Sequence, residues 1–149
     1  MKIKLILTII VLTIVNGFDV PSSSGDIGDG EYFESCAKWT ICTLEDKDAY
    51  NELNECKYLI PIEKLTKMLK IMGDSVKREW SDLETAYNDY CGMDEDKQNE
   101  FFTDLVQFIV EEYSSTCADF MQAVTCKKMT DMNDCLILIL SRLHGEGKC

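Results

Sequence analysis

One histidine, two prolines and 15 basic residues against 27 acidic ones define this 149-residue chain first by what it has little of. A single histidine rules out the usual two-histidine metal sites, and the cysteines never fall in the CxxC spacing of a zinc site. No GxSxG elbow, glycine-rich phosphate loop or Asn-x-Ser/Thr sequon occurs. Asp94-Glu95-Asp96 begins like a calcium loop, but Asn99 stands where the turn glycine belongs and Leu105 where the bidentate glutamate belongs. His144 has no assignable nucleophile or acid partner and reads as a helix-terminal cation. The chain is therefore read as non-catalytic, without cofactor or metal. Its net charge of −12 argues against nucleic acid or an anionic membrane as a global partner. Beyond residue 30 there is one proline, Pro61, and no apolar run approaches the ~20 residues of a membrane span.

What is present starts at the amino terminus. Lys2 and Lys4 precede an apolar run, Leu5–Val15, broken only by Thr8 and Thr13. Val15 and Gly17 are small residues placed for cleavage before Phe18. Met1–Gly17 thus reads as a secretory signal, and the expected location is extracellular. Phe18–Gly30, with Pro21, Ser22–Ser24 and three glycines, reads as a flexible lead. Residues 31–149 form the expected single domain. All eight cysteines, Cys36, Cys42, Cys56, Cys91, Cys117, Cys126, Cys135 and Cys149, fall within it. In an oxidising compartment they read as four disulfides. Residues six apart on a helix are ~9 Å apart along its axis and residues nine apart ~13.5 Å, whereas a disulfide needs Cα atoms within ~7 Å. Cys36–Cys42, Cys117–Cys126 and Cys126–Cys135 are poor pairs if their segments are helical. Cys149 has two routes, within the chain or to a second chain.

Helical periodicity dominates and strand-type alternation is nearly absent. The pattern predicts an all-α bundle of five or six helices. The first covers about 31–44. The second covers about 48–58, with Asp48 as cap. A third opens at Pro61 and ends before Gly73, and a fourth starts after Asp74 or Ser75 and ends at 91–92. The fifth begins near Asp94, and its apolar residues cover more than half its circumference, which predicts a central position. Ser114–Thr116 is expected to bend it or divide it from a segment 117–128. The last helix is expected over about 131–144.

Two features point to binding. Met68, Met72 and Trp80, with Phe101, Phe102, Leu105, Phe108 and Ile109 of the fifth helix, are the expected lining of an interhelical site for a small apolar ligand. Apolar pockets between helices are common ligand sites, and methionine adapts to varied guests. Residues 57–78 hold six cations against Glu63 and Asp74. Lys64, Lys67 and Lys70 share one helix face there and are the candidate docking surface for an acidic partner or membrane patch.

The tail spacing, with eight residues between Cys117 and Cys126 and eight between Cys126 and Cys135, together with the Cys91–Cys117 gap, resembles insect odorant-binding and pheromone-binding proteins. That resemblance implies a secreted, acidic, all-helical carrier with an apolar cavity. The closely spaced cysteine pair of that family has no counterpart here, and two cysteines are extra, so no pairing carries over. The chain equally resembles helical, disulfide-rich arthropod venom and salivary components. That second likeness implies a secreted effector acting on an extracellular protein or a membrane.

Overall fold

A computed structural model describes residues 32–149; the expected signal and lead lie outside the described residues. Among the described residues there are six α-helices: α1 Tyr32–Cys42, α2 Lys47–Lys57, α3 Ile62–Ser75, α4 Leu83–Cys91, α5 Glu95–Ala118 and α6 Ala123–Gly145. A short 3₁₀ turn, Phe120–Gln122, joins the last two. The described residues contain no strand.

Side-chain caps start three of the helices. Asp46, Asp82 and Asp94 each accept a hydrogen bond from the backbone N–H three residues on, satisfying one of the orphan donors of a first turn. Asp46, not Asp48, is thus the cap of α2. Pro61 precedes α3, where its missing N–H costs nothing.

Helix α3 does not stop before Gly73. It continues to Ser75, and the chain then turns back over Gly73, with Lys77 in the left-handed region (φ 59°) and the Arg78 N–H bonded to the Gly73 carbonyl at 2.8 Å. A Cβ on Gly73 would stand 2.7 Å from the Arg78 carbonyl oxygen. The glycine is there for that close approach, and residues 76–82, expected to be helical, form the irregular return.

The central helix is α6, not α5. It packs against α1, α2 and α5 and runs through both hydrophobic cores. Met129 and Met132 enter the first, with Met68, Trp80, Tyr90 and Phe101. Ile139, Leu140 and Leu143 enter the second, with Leu53 and Ala49 of α2. Met129 and Leu143 have no solvent exposure at all. In α5 only Gln98, Phe101 and Thr116 are buried. Its apolar residues are spread too widely around the helix for the elements packed on it to cover them.

The helix break also lies elsewhere than expected. Ser114–Thr116 is helical and Thr116 is buried. The chain reverses at Asp119, whose carboxylate accepts from the Met121 N–H and the Gln122 side-chain amide. The segments 117–128 and 131–144 are accordingly not separate helices.

All eight cysteines are paired within the chain: Cys36–Cys149, Cys42–Cys91, Cys56–Cys135 and Cys117–Cys126. Cys117–Cys126, a poor pair for one continuous helix, becomes feasible because the turn folds its two segments back to back, with Cα atoms 4.9 Å apart. Cys149 closes onto Cys36 of α1, holding the chain terminus against the second core.

Candidate functional site

The expected lining residues divide into two sets. Met68, Trp80 and Phe101 are buried in the first core. Trp80 meets Phe101 edge to face at 5.5 Å between ring centroids, and its indole N–H donates to Asp89 at 2.7 Å. Such a fixed aromatic pair contributes packing energy beyond its buried area. Met72, Leu105, Phe108 and Ile109 are half-buried against that core. Phe102 is half-buried and belongs to neither core.

Between α3 and α5 the two helices leave an open groove of about 240 Å³. Ile71, Met72, Phe101 and Phe108 give it apolar walls, while Ser75, Asp104, Gln107 and Glu111 supply the polar atoms. Of the eight expected residues the structure therefore brings Met72, Phe101 and Phe108 to one concave surface. The volume lies below the ~300–1,000 Å³ of sites for drug-sized ligands. Ile71, Ser75, Asp104, Gln107 and Glu111 were not among the expected residues. For Asp104, Gln107 and Glu111 the usable signal is spacing: positions 104, 107 and 111 follow the i, i+3, i+7 rule for one helical face.

The groove's rim is acidic. Glu111 accepts from the Gln107 side-chain amide at 2.9 Å, which fixes its carboxylate direction. Asp104 makes no ion pair among the described residues. Two carboxylates over an aromatic and thioether floor form a surface that favours a cation carrying an apolar body.

Lys64, Lys67 and Lys70 do not form one free basic face. Lys64 is largely buried, pairs with Glu112 of α5 at 2.5 Å and donates to the Thr116 hydroxyl at 3.0 Å. It buckles α3 to α5 beside the groove. Lys67 and Lys70 are exposed.

Elsewhere, a broader and shallower depression of about 550 Å³ lies over the α1–α2 loop, lined by Trp39, Leu44, residues 45–48 and Lys148. Its charges are partly satisfied internally, since Lys148 pairs with Asp46 at 2.8 Å. His144 stacks flat on Tyr32 at 4.2 Å, and its Nδ1 lies 3.1 Å from the Cys149 carbonyl oxygen. Lys57 donates to the Tyr87 hydroxyl, which donates in turn to Asn54 at 2.8 Å. Burial pushes the Lys57 ammonium down to about 7 and raises the Tyr87 hydroxyl above the ordinary phenolic range, with Tyr50 and Tyr58 adding to the latter. No group of three or more His, Cys, Asp or Glu side chains able to hold a metal occurs among the described residues. Nor is any described helix long and apolar enough to cross a membrane.

No protein-family model matches the chain, and no curated protein or solved structure matches it either.

Proposed function

We propose that this chain is a secreted, non-catalytic binding protein that holds a small cationic amphiphile in the α3–α5 groove. One observation carries the reading: an aromatic and thioether floor, Met72, Phe101 and Phe108, lies beneath the Asp104 and Glu111 carboxylates in a single concavity. The chain's net charge of −12 raises the local concentration of cations around it. Four disulfides are compatible with an oxidising compartment, and the amino-terminal signal pattern supports secretion. The groove is small and open, so the fitting ligand is a single ring or short chain bearing an amine.

Trp80, in edge contact with Phe101, reports occupancy through its fluorescence. The expected result is saturable titration by an arylalkylamine, with at least tenfold weaker binding of the matching neutral alcohol. Asp104→Asn combined with Glu111→Gln is expected to erase that preference, and Phe108→Ala to weaken both ligands. Equal binding of amine and alcohol, or no saturation by either at millimolar concentration, refutes the assignment.

A further inference from the structure

The α5–α6 tip presents the most exposed large apolar side chains among the described residues. Phe120 is 84 % exposed, Met121 77 % and Val124 74 %. All three lie within five residues of one another. Isolated apolar residues on a surface are ordinary, whereas a cluster at one exposed turn marks a candidate interaction site.

The display is rigid. Cys117–Cys126 staples the two helices directly behind it, and Tyr113 and Thr130 bridge them one turn further in at 3.0 Å. Asp119 organises the turn by accepting from the Met121 N–H, while its backbone carbonyl accepts from the Gln122 N–H at 2.8 Å. The Ala123 N–H bonds to the Phe120 carbonyl. A fixed tip loses little conformational entropy on docking, and the bonded N–H groups of Met121, Gln122 and Ala123 can leave water without being orphaned.

The charges behind the tip have the opposite sign to the rest of the protein. Between Tyr113 and Thr130 the only charged residues are Asp119, Lys127 and Lys128. The Asp119 carboxylate is occupied by the turn. Lys127 and Lys128 follow Val124 by three and four positions, so they stand about one helical turn, ~5 Å, below it on the same face. Lys127 pairs with Asp131 at 2.9 Å, and Lys128 makes no ion pair among the described residues.

We propose that this tip is a membrane-docking finger: Phe120, Met121 and Val124 enter the interfacial layer of a phosphocholine-rich bilayer while Lys127 and Lys128 reach its phosphates. Area decides against a protein partner. Three side chains, at no more than ~250 Å² each even if all were aromatic, fall short of the ~800 Å² per partner that a stable protein interface or dimer buries. A fluid bilayer needs no preformed complement to a convex tip. The headgroup follows from charge: a neutral, zwitterionic surface avoids the repulsion that the protein's acidity would meet at an anionic leaflet, yet it still offers phosphates to two lysines.

The test is co-sedimentation of the oxidised, full-length secreted chain with phosphatidylcholine vesicles. Phe120→Ser combined with Met121→Ser should reduce the partition coefficient at least tenfold, and Lys127→Gln with Lys128→Gln about threefold. Leu138→Ser, at another exposed apolar position, should leave it unchanged. In a second measurement, Phe120→Trp should shift its emission to the blue on adding vesicles. Failure of the wild type to partition, or equal partitioning of the double-serine variant, overturns the proposal. So does a concentration-dependent dimer that the double-serine variant abolishes, because the occupant is then a second copy. The tip shares no residue with the α3–α5 groove, so amine binding is expected to survive every tip substitution and the two proposals fail separately.

Discussion

The two hydrophobic cores are held in different ways. The core formed by α1, α2 and the C-terminal half of α6 is the smaller, and two disulfides of long sequence separation brace it, Cys36–Cys149 at 113 and Cys56–Cys135 at 79. The core beneath α3, α4 and α5 relies on aromatic packing around Trp80, Tyr90 and Phe101, and one bridge, Cys42–Cys91, ties α4 to α1 at its margin. The groove lies between α3 and α5 and the apolar tip at the α5–α6 turn, and the one disulfide on α5 is the local Cys117–Cys126 staple. The two bridges of longest sequence separation thus brace the smaller core, while the α3–α5 groove borders the core that aromatic packing fills.

The sharpest way to break this contrast is to remove one bridge from each class. In the chain-entropy picture, a cross-link across 79 residues contributes about 4.5 kcal/mol and one across nine residues about 2.6 kcal/mol. Replacing Cys56 and Cys135 by alanine should lower stability by roughly that larger amount and loosen α2 from α6. The same change at Cys117 and Cys126 should cost about 2 kcal/mol less. Denaturant unfolding of the two double variants measures the gap. Equal losses would show that loop length does not set what these two bridges contribute.

A smaller effect compares side chains. Leu143 is fully enclosed in the braced core, and Phe108 lines the open groove. Leu143→Ala leaves a cavity that the fixed helices cannot close, and a loss of ~3–5 kcal/mol is expected. Phe108→Ala removes more atoms but leaves a space open to solvent and no enclosed cavity, so less than about 2 kcal/mol is expected. A Phe108 variant as damaging as the Leu143 one would mean that the groove is a packed seam without room for a guest.

Much of this contrast was hidden in the sequence, for reasons that differ from residue to residue. The all-α class, the start of α5 near Asp94 and the complete pairing of the cysteines were legible, because each depends on local pattern or on parity. The central helix was not. The breadth of apolar residues on α5 says how much surface needs cover, but the position of α6 between α1, α2 and α5 decides which surface receives it. Ser114–Thr116 reads as a break because its residues are polar, yet Thr116 is buried against Lys64, a contact 52 positions distant. The same long-range contact removes Lys64 from the basic face that periodicity assigns it. Phe120 and Met121 look like core residues in any one-dimensional reading. They are outside because the turn at Asp119 and its disulfide point them away from every other helix. In the groove, Met72, Phe101 and Phe108 were legible as apolar positions, whereas its acidic rim was lost among 27 acidic residues.

The mildest test addresses the seam between the cores. Lys57 follows Cys56 of the braced core and donates to Tyr87 of the aromatic one. Its ammonium, held down to about 7 by burial, gives up its proton in the folded protein well before the same group does in the unfolded chain, near its ordinary 10.5. Between those values the unfolded chain binds more protons, so stability must rise with pH, by at most about 1.4 kcal/mol per pH unit. Above pH 10 the direction reverses. Burial keeps the Tyr87 and Tyr90 hydroxyls protonated in the folded protein, Tyr90 up to about 12 with the Glu34 carboxylate adding to the effect, while unfolded tyrosines ionise. Thiol exchange cannot counterfeit the profile at its start, because every described cysteine is already paired. Urea unfolding from pH 7 to 10 should show the climb in the wild type and a flat line in Lys57→Met. A flat wild-type profile would place the Lys57 amine in contact with solvent and leave the two cores joined there by nothing that titrates.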